Sequence, residues 1–162
     1  MKKEIISYII IILSVIIIRS FVVTPVVVKG SSMTETLYDG DVLILNKLNF
    51  GYDLFDVVVL EYNNSLLVKR IIGFSGDHVK YVDGDLYINN ELVEENFITD
   101  VTLDFDITQL GFNVIPDGYY FVMGDNRDNS TDSRTIGFIK EEDILGTVSL
   151  RIYPLNEISF VK

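Results

Sequence analysis

Fourteen residues from Ile5 to Ile18, interrupted only by Ser7, Tyr8 and Ser14, set the first limit on what this chain can fold into. A run this apolar on every face has no polar side to turn to water, so it belongs in a bilayer or inside a core. As helix it reaches about 21 Å, short of a hydrocarbon core of roughly 30 Å. That length also suits a cleavable secretory signal. Two features favour a retained anchor: the sequence holds no alanine, hence no Ala-x-Ala cleavage site, and apolarity resumes as Phe21-Val22-Val23 and Val26-Val27-Val28. Arg19 can reach the headgroups and lengthen the span. The expectation is a single-pass transmembrane helix within residues 1–24. Lys2 and Lys3 put its N-terminus in the cytoplasm and the remainder outside the cell membrane. A buried core helix is the competing reading.

After Pro25 the pattern changes. Val26-Val27-Val28, Asp41 to Leu45, Asp56 to Leu60, Leu66 to Ile72, Val79 to Val82 and Leu86-Tyr87-Ile88 are short, rich in β-branched residues and separated by turn formers. They predict a mainly β domain over residues 25–162. Asp83-Gly84 marks a hairpin between two of these runs, and Asn89-Asn90 turns the chain again. The acidic stretch from Glu91 to Asp117 reads as part of a smaller β excursion over about 78–117, with one or two strands. Tyr119 to Met123 then returns to the core. There is no repeat or proline-rich linker, so one folded unit on one anchor is expected.

Charge narrows the partners. A net charge of −11 argues against nucleic acid, whose phosphates need a surface rich in lysine and arginine. The chain has no cysteine and a single histidine, His78, so disulfides, thiol chemistry and most ways of activating a serine are restricted. His78 follows Gly76-Asp77 in a polar turn, a surface setting.

Two segments invite a chemical reading. Gly30-Ser31-Ser32-Met33 lies about ten residues beyond the apolar run, and a serine there could be a nucleophile held at a membrane; serine after glycine is also an ordinary turn. With so little histidine, the base to consider is a lysine. Lys69 stands in Leu66-Leu67-Val68-Lys69-Arg70-Ile71-Ile72-Gly73, where apolar neighbours strip water from an ammonium and lower its pKa. Ser65 is no partner for it, since four residues along one strand separate them by about 13 Å.

A third segment, Gly124 to Arg134, packs polar and charged side chains between a hydrophobic strand and Gly137. Asp128, Ser130 and Asp132 alternate as in a calcium loop. However, Ser133 stands where such a loop needs glycine, Ile139 where it needs glutamate, and Arg127 and Arg134 oppose a cation. Carboxylates interleaved with arginines more readily build a buried polar network that fixes nearby backbone.

In this order, behind one N-terminal anchor, the three segments resemble the bacterial type I signal peptidases. The resemblance rests on Ser32-Met33 with Thr36-Leu37, on Val68 to Gly73 with Gly76-Asp77, and on Gly124 to Ser130 with Asp132-Ser133-Arg134; Asp56 to Val59 matches the intervening strand. It runs from the anchor to about Arg151 and implies a compact antiparallel-β catalytic domain.

By position, the resemblance implies that Ser32 is the nucleophile and Lys69 the general base, with Ser130 hydrogen-bonding the lysine amine. Asp125 would pair with Arg70, and Asp132 with Arg134, behind the site. Val26, Val28, Met33, Leu37, Leu67 and Val68 would line shallow specificity pockets. Two positions depart from the family: Gly30 stands where some members have a serine hydroxyl in the oxyanion hole, and Glu35 where proline is usual. The implied reaction is cleavage of signal peptides from exported preproteins after small residues, through an acyl-enzyme and with no metal or cofactor. Two alternatives are a self-cleaving repressor-type Ser/Lys protease, which would carry a DNA-binding region in place of the apolar helix, and a catalytically silent relative acting in assembly at the bilayer.

Overall fold

The computed structural model describes residues 2–48 and 51–161. Helix α1 (Lys2–Phe21) takes up the apolar run. Ser14 Oγ donates to the Ile10 carbonyl at 2.8 Å, and Thr24 Oγ1 donates to the Arg19 carbonyl at 2.9 Å near the helix end. Side chains from Ile5 to Ile16 are exposed. The expected transmembrane helix is not found: among the described residues no helix is long and apolar enough to cross a membrane. Charge enters at Lys3-Glu4 on one side of the run and at Arg19 on the other, before a full span is reached. The side chains of Lys2 and Lys3, on which the expected orientation depends, lie outside the described residues.

The β-branched runs become β1 (Val23–Val27), β2 (Val42–Asn46), β3 (Val57–Tyr62), β4 (Ser65–Gly73), β5 (Val79–Val82) and β6 (Asp85–Ile88). β1 begins at Val23, inside the stretch assigned to the anchor. Further along are β7 (Glu91–Val93), β8 (Phe105–Asp106), β9 (Tyr119–Met123), the short helix α2 (Ser133–Ile136), β10 (Ile139–Lys140), β11 (Ile144–Tyr153) and β12 (Ser159–Phe160). The described strands form an eight-stranded sheet, ordered β1-β2-β11-β3-β4-β9-β10 with β12 on β11, and a four-stranded sheet, ordered β7-β6-β5-β8. Every pairing is antiparallel. The smaller sheet adds two short strands from the 91–117 stretch, β7 and β8, to the hairpin of β5 and β6.

Tight turns set the register. Asn63-Asn64, Asp83-Gly84 and Asn89-Asn90 each carry positive φ at both residues, between 49° and 93°. These conformations match the twist of a two-residue hairpin and suit Asn, Asp and Gly. The central pair β3 and β4 is buried on both faces, and alternation sorts its side chains. Val57, Val59 and Val68 join one cluster with Met33, Leu37 and Leu43, while Val58, Leu60 and Ile71 join another with Val122 and Ile139. A third cluster, with Ile72, Tyr81, Leu86 and Phe121, joins the two sheets.

The central strand β11 was absent from the strands read in the sequence. Its register shifts near Gly146, Val148 and Arg151 break the alternation by which strands are recognised.

Candidate active site

The turn after β1 is built by local hydrogen bonds. Gly30 takes φ of 86° and its N–H donates to Asp39 Oδ1 at 2.7 Å. Thr34 N donates to the Ser31 carbonyl at 3.1 Å, and Leu37 N to the Met33 carbonyl at 2.8 Å. Met33 and Leu37 sink into the core beneath, which leaves Ser32 half-buried on top.

Lys69 arrives from β4, where it pairs across the sheet with Val58. Its Nζ lies 2.6 Å from Ser32 Oγ in a direct hydrogen bond. The side chain is only 2% exposed. Burial pulls the amine from 10.5 to about 8, against the opposing pull of the Asp132 and Asp125 carboxylates. At that value about one amine in ten is neutral at pH 7, against roughly one in three thousand at 10.5. A neutral amine at this distance can take the hydroxyl proton and leave an oxygen nucleophile.

The next residue anchors this corner. Arg70 Nε and Nη2 donate to Asp125 Oδ1 and Oδ2 at 2.8 and 2.6 Å, and Nη1 donates to the Phe55 carbonyl at 2.8 Å. Its guanidinium lies over the Phe97 ring at 3.9 Å. Thr36 Oγ1 donates to Asp125 Oδ2 at 2.5 Å, tying the serine turn to the same carboxylate. Asp132 accepts from Gly124 N at 3.1 Å and from Arg134 Nε and Nη2, both at 2.9 Å. It also caps α2 through Arg134 N.

The loop from Gly124 onward grips the serine turn. Asn126 N donates to the Ser32 carbonyl and Asn126 Nδ2 to the Ser31 carbonyl, both at 3.1 Å, while Asn129 Nδ2 donates to Ser31 Oγ at 2.9 Å. Gly124 is required by this close approach, since a Cβ there would strike the Ser130 hydroxyl and the Ser32 carbonyl.

Ser130 departs from expectation. Its Oγ is buried and makes no hydrogen bond among the described residues, so the expected bond to the Lys69 amine is not formed. The amine is directed at Ser32 Oγ instead. Leu37 departs too. Val26, Val28, Met33, Leu67 and Val68 line a cleft of about 680 Å³ that also contains Ser32 and Lys29, whereas Leu37 is fully buried and outside that lining.

Several contributors were not identified in the sequence. Arg127 is buried with Glu95, donating from Nη2 to Oε1 at 2.6 Å, and its Nη1 donates to Thr102 Oγ1 at 2.6 Å and Tyr81 Oη at 3.1 Å. Thr99 donates to Glu35 from its N–H at 2.9 Å and from Oγ1 at 2.7 Å. Glu35 itself adopts φ of 95°, which is closed to proline with its ring-locked φ near −65°. Glu95, Phe97, Thr99 and Thr102 belong to the segment between β7 and β8. The closest available clue was that this stretch is acidic while the Gly124–Arg134 loop carries arginines.

Comparison with known proteins agrees with this geometry. The family described as "Signal peptidase, peptidase S26" matches residues 1–153. A Staphylococcus aureus protein named signal peptidase IB is 37% identical, with the alignment covering 99% of this chain and 95% of the relative. A Bacillus caldolyticus signal peptidase I is 38% identical over 88% of this chain and 86% of its own. The crystal structure of a signal peptidase I from Enterococcus faecalis superposes with a TM-score of 0.56 at 32% identity, covering 60% of this chain and 96% of that one.

Proposed function

Because the chain belongs to the signal peptidase family, peptidase S26, and is therefore a hydrolase, we propose that it is a serine endopeptidase that cuts signal peptides from exported preproteins with Ser32 and Lys69 as its dyad. The observation that carries this reading is the 2.6 Å hydrogen bond between Ser32 Oγ and a buried lysine amine whose pKa is lowered to about 8.

The chemistry follows from those two groups. Neutral Lys69 takes the Ser32 proton as Oγ bonds to the scissile carbonyl carbon, and the carbonyl π electrons move onto oxygen. The Ser32 N–H is the natural donor for that oxyanion; Gly30 has no side chain to add, so a second donor comes from backbone or water. As the tetrahedral intermediate collapses, the C–N bond breaks and the lysine ammonium returns its proton to the leaving amine. Water then attacks the acyl ester, losing a proton to Lys69, and the serine hydroxyl is regenerated with release of the signal peptide.

Substrate specificity fits the cleft. Among the described residues β9 pairs with β4 only at Arg70, Ile71 and Gly73 and β1 pairs only with β2, so the part of β4 before Lys69 presents an edge opposite β1. A peptide can enter between them as an added strand. Val26, Val28, Met33, Leu67 and Val68 leave shallow apolar depressions, suited to the small side chains of an Ala-x-Ala site.

In the same reading α1 holds the domain at the bilayer on its extracytoplasmic side, where exported preproteins emerge. Its exposed side chains from Ile5 to Ile16 form an apolar surface that lipid covers better than water. External protease should reach the catalytic domain in wall-free cells; digestion only after lysis would reverse the topology.

The activity is tested with purified protein and a peptide bearing an Ala-x-Ala site. Ser32→Ala and Lys69→Ala should each abolish cleavage with the fold intact, and Lys69→Arg should fail because guanidinium stays protonated. Activity near wild type in either alanine variant would defeat the dyad.

A further inference from the structure

Residues 95–102 cross behind the site and touch the chain neighbours of both members of the dyad. Phe97 stacks on Arg70, the residue after Lys69, at 3.9 Å. Thr99 makes two hydrogen bonds to Glu35, three residues after Ser32, at 2.9 and 2.7 Å. At either end Glu95 and Thr102 hold the same guanidinium, Arg127, each at 2.6 Å. The segment is therefore fixed at its ends to the Gly124–Arg134 loop and bears on the dyad from its middle.

Glu35 is the contact that reaches the nucleophile. Its φ of 95° lies in the left-handed region, which a glutamate side chain does not favour, and its carboxylate meets both donors of Thr99 there. The following residue, Thr36, donates to Asp125, which holds Arg70. A closed circuit results, running Thr99, Glu35, Thr36, Asp125, Arg70 and Phe97 and back along the segment to Thr99. It encloses the step from the serine turn to the lysine strand.

We propose that Glu35 and Thr99 form a clamp by which the 95–102 segment positions Ser32 against Lys69, making Glu35 a positioning residue for the reaction. The proposal rests on the reading of Ser32 and Lys69 as the dyad. Proton transfer over a 2.6 Å contact is sensitive to small displacements of the oxygen, whereas the apolar cleft lining does not include Glu35 or Thr99. Loss of the clamp therefore lowers kcat and spares KM.

The experiment measures kcat, KM and melting temperature for the full chain on an Ala-x-Ala peptide. Glu35→Ala should lower kcat roughly ten-fold with KM within about two-fold of wild type. Glu35→Gln should restore it, because the amide oxygen accepts from Thr99 N–H and the amide nitrogen donates to the Thr99 hydroxyl. Thr99→Val removes one of the two bonds from an exposed site and should cost kcat a few-fold, which keeps the test open if Glu35→Ala does not fold. The double variant Glu35→Ala/Thr99→Val should be no slower than Glu35→Ala alone. Wild-type kcat in Glu35→Ala, or single effects that multiply in the double variant, would overturn the clamp. Ser32→Ala in the same assay separates the two questions: an active Ser32→Ala enzyme refutes the dyad, whereas an inactive one beside an unimpaired Glu35→Ala refutes only the clamp.

Discussion

Arg70 and Asp125 meet through two parallel hydrogen bonds of 2.8 and 2.6 Å, both side chains fully out of solvent, directly after the lysine in the chain. The pair fixes the middle of β4, which carries Lys69, to the loop that grips Ser32. Among the described residues, Asp125→Ala would leave the buried guanidinium with Phe55, Phe97 and Thr36 as its remaining contacts. The expected loss is roughly 3–5 kcal/mol of unfolding free energy, read in urea titrations, together with loss of cleavage.

Lys69 also makes stability depend on pH. The unfolded chain keeps the lysine proton up to 10.5 and the folded chain only to about 8, so between those values the unfolded state binds more protons and stability rises with pH. The gain reaches about 3 kcal/mol across that window. Lys69→Met should remove this rise and be the more stable protein at pH 7, as seen by comparing the two proteins' melting temperatures at pH 7 and pH 10.

Gly124→Ala should damage both fold and activity. The added methyl would collide with the Ser130 hydroxyl and the Ser32 carbonyl, forcing apart the loop and the serine turn. The expected cost is about 1–3 kcal/mol, with a larger fall in kcat than rise in KM.

Ser130→Ala separates support of the fold from support of catalysis. The hydroxyl is buried without a hydrogen bond among the described residues, so removing it should leave the melting temperature unchanged or slightly raised. If it orients the amine during turnover, kcat still falls while KM holds. Unchanged kcat would remove Ser130 from the site.

How much was legible in the sequence follows from how local each determinant is. Ser32 and Lys69 were singled out because a serine in a glycine turn and a lysine in an apolar strand are features of a few neighbouring residues. The hairpins at Asp83-Gly84 and Asn89-Asn90 were legible for the same reason, since positive φ selects its own residue types. Glu35 and Thr99 lie 64 residues apart and Glu95 and Arg127 lie 32 apart, and their partnership exists only once the second sheet folds against the first. Leu37 was assigned to the cleft by position, but its side chain follows the serine turn inward to the core. Ser130 was given a bond that depends on where a lysine amine points, which chain position does not determine. The apolar run was legible as a helix, while its relation to a membrane depends on length and flanking charge that sequence weighs only coarsely.

The most direct test of the Ser32 and Lys69 assignment is the pH dependence of kcat/KM on an Ala-x-Ala peptide. Only the neutral amine accepts the serine proton, so log kcat/KM should climb with unit slope and level off with an apparent pKa of about 8. Cleavage should vanish in Ser32→Ala at every pH. A flat profile between about pH 6 and 10 that still requires Ser32 would contradict the account, because no lysine would then be titrating in the step that activates the nucleophile.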